Sequence, residues 1–179
     1  YMAGTRSDMK RSQKAYTEFV ELLYEHQGIV RRICCIYESS PEDREDLYQE
    51  VLMQSWRSFA SFNGQSKFST WLYRVALNTA LSRRRKAPGK REVASETGTS
   101  VDIAVDERSD SDSDIELLHQ CIQELPTLNR AVVLLYLEQR AYGEIAEITG
   151  LSRANISVRL VRIKDELRQL LLAKGYHEG

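Results

Sequence analysis

The chain has 179 residues, 42% hydrophobic and 28% charged, with a formal net charge of −1, which is a soluble globular balance with room for one ordinary domain or two small ones. No run approaches the ~18 apolar residues of a membrane span, and no basic-then-apolar leader opens the sequence, so a cytoplasmic protein without membrane insertion is expected. The small net charge hides three blocks: residues 1–86 carry 14 Lys/Arg against 10 Asp/Glu, residues 87–114 carry 3 against 8, and residues 115–179 carry 8 against 8, a pattern of two domains and a linker.

Residues 1–14 are polar at their start and are expected to lie outside the fold. From 15 to 37, Phe19, Leu22, Leu23, His26, Val30, Ile33 and Tyr37 recur at steps of three and four, which marks one face of a helix. His26 sits on that apolar stripe and reads as a packed histidine. Cys34 and Cys35 are adjacent, and with Cys121 they make an odd count without any CxxC spacing. That argues against a disulfide framework or a zinc site and for small buried residues in a reducing compartment. Ser40-Pro41-Glu42-Asp43 then starts a second helix: Ser40 can cap free amides, Pro41 suits the first turn and the acids favour the positive end of the dipole. Its apolar stripe is Leu47, Val51, Leu52, Trp56 and Phe59, and Asn63-Gly64 breaks it. A third helix places Phe68, Trp71, Leu72, Val75, Ala76 and Thr79 inward and ends in Arg83-Arg84-Arg85-Lys86.

Residues 87–113 show neither helical nor strand periodicity and are rich in Ser, Thr, Asp and Glu. Such a segment buries too little apolar surface to offset its ordering entropy, so a flexible acidic tether is expected. Regular structure resumes at Asp114, a plausible cap, with Ile115, Leu118, Ile122 and Leu125 stopped by Pro126. Further helices are expected from about 128 to 138, from 142 to 149, and from Ser152 to about Ala173. No segment alternates like a strand, so the fold class is all-α with two small helical domains, 15–86 and 114–179.

Residues 142–160 carry the sharpest local signal. Ala146 is small where two helices would cross, Gly150 can take a left-handed turn and Ser152 can cap the next helix. Ile145, Ile148, Leu151, Ile156 and Leu160 supply a shared core. This specifies a helix-turn-helix, whose second helix lies in a major groove. Off its apolar line that helix carries Arg153, Asn155, Arg159 and Arg162, of which arginine suits guanine or phosphate and asparagine suits adenine.

The N-terminal block adds a different chemistry. Residues 62–74 interleave Phe62, Phe68, Trp71 and Tyr73 with Asn63, Gln65, Lys67 and Arg74. Aromatic rings can stack on unpaired bases while cations hold the backbone. The alternative is that Phe62, Phe68 and Trp71 are core, and Trp71 shares a stripe with Val75. Residues 46–51 with Trp56, followed by residues 62–78, resemble the second conserved region of sigma-70-type factors, specifically the small two-domain extracytoplasmic-function (ECF) subgroup. Residues 125–167 resemble their fourth region, so the likeness spans nearly the whole chain in the family's order.

The resemblance implies a transcription factor that is not an enzyme, uses no cofactor, metal or small-molecule substrate, binds core RNA polymerase, and directs it to promoter DNA. Asp46, Leu47, Gln49, Glu50 and Met53 would dock on the polymerase clamp. Asn63, Lys67, Phe68, Trp71, Tyr73, Arg74, Asn78, Arg83 and Arg84 would recognise and melt the minus-10 element. Ser152, Arg153, Asn155, Ser157, Val158, Arg159 and Arg162 would read the minus-35 element. Ser157 and Val158 depart from residues frequent in relatives, and a valine there can meet a thymine methyl. The acids Asp102, Asp106, Glu107, Asp110, Asp112 and Asp114 would either imitate a nucleic-acid strand inside the polymerase or serve as a solubilising spacer. An anti-sigma protein is the expected regulator. A free-standing regulator binding DNA as a homodimer is the alternative, but no sustained heptad seam provides a dimer face. The nearly neutral C-terminal block gains little from phosphate neutralisation, so its affinity would depend on tethering by the polymerase.

Overall fold

The computed structural model describes the backbone of residues 6–86 and 110–176 and the side chains of residues 13–86 and 114–176. These residues form seven helices and no strand: α1 (Arg6–Tyr37), α2 (Pro41–Phe59), α3 (Phe68–Lys86), α4 (Asp110–Glu124), α5 (Thr127–Leu137), α6 (Tyr142–Thr149) and α7 (Arg153–Ala173). None is long and apolar enough to cross a membrane. The all-α expectation holds. Two boundaries move outward: α1 begins at Arg6, inside the stretch expected to lie outside the fold, and α4 begins at Asp110, before the expected cap Asp114. Apolar periodicity locates only the part of a helix that packs, and both extensions are polar. The linker acids Asp102, Asp106 and Glu107 lie outside the described residues, as do the side chains of Asp110 and Asp112.

Local signals explain the helix ends. Ser40 Oγ accepts from the Asp43 amide at 3.0 Å, with Pro41 behind it and Glu42 and Asp43 in the first turn of α2. Ser152 Oγ accepts from the Asn155 amide at 3.2 Å and starts α7. Gly150 ends α6 at φ 75°, the left-handed value that the turn into α7 requires.

Helices α1, α2 and α3 pack on one another as a three-helix layer around Val30, Ile33, Leu47, Val51, Leu72 and Ala76. Helices α4 to α7 form a second group around Leu125, Val132, Leu135, Ile145, Ile156, Leu160 and Ile163. The two groups share one continuous apolar core, because α6 lies on α3 while α4 and α5 lie on α1. A linear sequence gave no sign of that contact. Cys34 and Cys121 are buried free thiols, and burial, with Cys35 and Glu38 adding to it, pushes the Cys34 thiol up to about 12. Cys34 is therefore a neutral packing residue at physiological pH.

Candidate nucleic-acid interface

Helix α2 turns its polar face outward. Asp46, Gln49 and Met53 are exposed and Glu50 is partly so. Leu47, expected among the docking residues, has no exposure at all and belongs to the core. It lies one residue beyond Asp46, about 100° round the helix, which carries it from the outer to the inner face.

Helix α3 divides into two faces. Lys67 just before the helix, then Arg74 and Asn78, are exposed, with Trp71 half-buried between them. Steps of four, three and four align these residues on one side, beside exposed Asn63 and Gln65 in the preceding loop. Phe68, expected to meet DNA, is 7% exposed. It is part of an aromatic cluster with Phe59, Phe62 and Trp71, whose ring centroids lie 5.2–6.3 Å from it, and His26 rests on its edge at 5.4 Å. Edge-on and tilted packing of this kind favours the core reading of Phe62 and Phe68. Trp71 belongs to the same cluster but keeps part of its ring at the surface.

The opposite face of α3 is covered. Thr70, Tyr73 and Leu77 are 3%, 1% and 3% exposed. Tyr73, expected at the minus-10 element, donates its hydroxyl to Glu138 at the end of α5. Burial pushes its phenol pKa up, with Arg32 opposing and Glu138 adding to the rise. Two basic residues expected on DNA are likewise engaged within the protein. Arg83 sits among Asp43 (3.3 Å), Glu38 (3.5 Å), Asp46 (3.7 Å) and Glu50 (3.7 Å). Arg84 donates to the Tyr37 carbonyl at 2.9 Å and so satisfies the C-terminal end of α1. The basic run that ends α3 is thus partly a structural device that ties α3 to α1 and α2.

Helix α7 is freer. Arg153, Asn155, Ser157, Val158 and Arg162 are all exposed, as is the capping Ser152, while Ile156, Leu160 and Ile163 fill the core. Val158 is 56% exposed, an apolar side chain standing in the middle of a polar face. Arg159 differs from the expectation: its Nη1 donates to Asn129 Oδ1 at 2.6 Å and its Nε is buried, so it ties α7 to α5. Arg153 folds back over the first turn of α6. A Cβ on Gly143 would lie 2.6 Å from its guanidinium, so the missing side chain there makes room for it.

Sequence reasoning missed one cluster entirely. Glu138 also accepts from Arg32 Nε at 2.5 Å, and Arg140 lies 5.2 Å from the centre of the Tyr73 ring. Arg140 pairs with Glu144 at 2.8 Å, and Thr70 donates to the same carboxylate oxygen at 3.2 Å. Burial works against the charge of Arg32, but Tyr73 and Glu138 outweigh it and the guanidinium holds its proton more firmly than usual. Arg32 and Glu138 are 106 residues apart, and no local pattern announces such a pair.

Comparison with known proteins agrees with this architecture. Sigma-70 region 2 matches residues 22–88, and sigma-70 region 4 matches residues 115–167. The chain is 29% identical to the RNA polymerase sigma-H factor of Pseudomonas aeruginosa, over 91% of this chain and 90% of that protein. It is 31% identical to the ECF RNA polymerase sigma-E factor of Haemophilus influenzae, over 70% of this chain and 73% of that protein. Among solved structures, the sigma factor RpoE of Bartonella quintana, in complex with the anti-sigma factor NepR, superposes with a TM-score of 0.67 at 24% identity, covering 86% of this chain and 96% of that one. CnrH, in complex with the cytosolic domain of CnrY, superposes with a TM-score of 0.65 at 21% identity, covering 90% of this chain and 94% of that one. With both conserved regions present, in order, on a two-part helical fold, the chain belongs to the sigma-70 family of RNA polymerase sigma factors, in its extracytoplasmic-function group.

Proposed function

We propose that this sigma factor divides promoter recognition and polymerase binding among three exposed faces. The outward side of α2, with Asp46, Gln49, Glu50 and Met53, docks on core RNA polymerase. The stripe of Asn63, Lys67, Trp71, Arg74 and Asn78 reads and opens the minus-10 element, with Trp71 available to stack on an unpaired base. The outer side of α7, with Arg153, Asn155, Ser157, Val158 and Arg162, reads the minus-35 element in the major groove. The single observation that carries this assignment is that polar, base-competent residues line the solvent side of both α3 and α7, while the apolar side of each helix is committed to the core.

Arg83 then acts on the docking face rather than on DNA. Its guanidinium lies against Asp46 and Glu50 and limits their mutual repulsion. The expected domain division at 15–86 and 114–179 places the first two faces in the N-terminal domain and the third in the C-terminal one. An anti-sigma protein is the expected regulator, in keeping with the complex with the anti-sigma factor NepR in which the Bartonella quintana relative was solved.

The test is reconstitution with bacterial core polymerase, followed by genome-wide mapping of transcription starts. Discrete starts preceded by two shared elements are expected. Transcription no different from that of core polymerase alone would overturn the assignment.

A further inference from the structure

The outer side of α7 is not uniformly polar. Ile156, Leu160, Ile163 and Leu167 are buried and set the inward direction of the helix. At about 100° per residue, Val158 falls almost opposite them, at the outermost line of the helix. Val158 is 56% exposed and Val161 is 62% exposed, and Ala154, one turn before Val158, is exposed as well. We propose that Val158 is the residue of this face that selects thymine in the minus-35 element, through contact with the C5-methyl group of the base in the major groove. This deepens the assignment of α7 to that element and rests on it.

Neither helix formation nor core packing accounts for a valine at this position. Valine is a poorer helix former than alanine or the long basic residues around it, and Val158 stands outside the core. Its chemistry suits one feature of the groove: thymine alone among the four bases presents a methyl group there. A β-branched side chain holds essentially one rotamer in a helix, so its methyls are fixed before contact and lose little freedom on binding. Ala154 on the same line is small and lets the backbone approach the groove. The flanks carry the opposite chemistry, with Arg153, Ser157 and Lys164 exposed on one side and Asn155 and Arg162 exposed on the other. An apolar line one side chain wide, bordered on both sides by cations and hydrogen-bond donors, complements base methyls lying between two phosphate backbones. Asp165, exposed about two turns beyond Val158 on the same line, ends the footprint, because a carboxylate there would face phosphates. Val161 lies nearer Lys164 and further from the N-terminal turns through which such a helix meets base edges. Asn155 and Arg162 are displaced from Val158 by about 4.5 and 6 Å along the helix axis, or one to two base-pair steps of about 3.4 Å. The thymine therefore neighbours the base that Asn155 meets.

The experiment is competition binding of the reconstituted holoenzyme to a mapped promoter. Each thymine of the minus-35 element, on either strand, is replaced in turn by deoxyuridine, which removes the methyl and keeps the pairing. Wild type, Val158→Ala and Val161→Ala are compared, and thermal melts show that each variant stays folded. Wild type is expected to lose about fourfold in affinity at one thymine, the effect of one buried methyl. Val158→Ala should bind the unmodified promoter about fourfold more weakly and no longer distinguish thymine from deoxyuridine at that position. Val161→Ala should keep the distinction. Specific binding by wild type that is indifferent to deoxyuridine throughout, or equal discrimination by Val158→Ala and wild type, would overturn the proposal and leave the assignment of α7 standing. Weaker binding of Val158→Ala to core polymerase without DNA would overturn it by giving the side chain to a protein contact. Equal binding to promoters with intact and scrambled minus-35 elements would overturn the assignment of α7 itself, and this proposal with it.

Discussion

The two helices proposed to read DNA, α3 and α7, are packed differently. Helix α7 commits one face to the core and leaves the other free, so nearly every residue that its motif assigns to DNA stands in solvent. Helix α3 is packed on two sides, by α1 and α2 within its own domain and by α6 from the other. Its outward stripe is accordingly narrow, and Tyr73, Phe68, Arg83 and Arg84 are occupied within the protein. A motif points to the helix expected to meet DNA; the number of neighbours that helix has decides how many of its residues would be available to do so.

The sharpest way to break this contrast is to exchange residues that differ only in face. Leu72 has no exposure and Arg74 stands two positions away in solvent. Leu72→Ala should destabilise the fold by about 2–5 kcal/mol, whereas Arg74→Ala should stay within about 0.5 kcal/mol of wild type. Urea unfolding reads both, and only Arg74→Ala should yield a stable holoenzyme slow to open promoters. A large stability loss in Arg74→Ala would show that α3 has no free face.

On α7 the corresponding substitution is Arg162→Ala. It should weaken minus-35 binding by the holoenzyme by about 1–3 kcal/mol if the side chain contacts a base, with an unchanged melting temperature. Arg159→Ala should do the reverse, lowering stability through the loss of Asn129 as a partner. A competition assay on promoter variants, paired with thermal melts, separates the two effects.

A smaller effect is expected at the helix start. Ser152→Ala removes the side-chain acceptor for the Asn155 amide and should cost about 1 kcal/mol. The loss should appear as a lower melting temperature, and a Ser152→Asp variant should largely restore it.

The smallest effect concerns pH. Burial first, and then Arg44, lower the pKa of His119 below its ordinary value of 6.5, with Glu116 opposing. A base whose folded pKa is depressed is favoured neutral in the native state. As pH falls through 6.5 the unfolded chain takes up the proton first, so stability declines from there to the lower folded value. His119→Gln should flatten that part of the stability profile. An identical slope in wild type and variant would show that His119 is not the group responsible.

Much of this was legible in the sequence because it depends on neighbours along the chain. The caps at Ser40 and Ser152, the turn at Gly150 and the apolar stripes of α1, α2 and α7 follow from local rules of spacing and backbone geometry. What was not legible depends on distant partners. Arg83 and Arg84 looked like DNA ligands because a run of four basic residues carries no mark of the carboxylates and the carbonyl waiting on α1 and α2. Leu47 was placed with its polar neighbours because the docking motif is a string, whereas exposure follows the helix surface. The cluster at Glu138 joins residues from α1, α3 and the end of α5, and no period or motif connects them.

The central claim is that both readers serve one polymerase-bound factor. The most direct measurement compares binding to a mapped promoter fragment by the chain alone, by core polymerase alone and by the two together. The account predicts weak binding by the chain alone and strong, element-dependent binding by the reconstituted enzyme, lost when either element is scrambled. Equally tight, sequence-specific binding by the chain with and without core polymerase would contradict it.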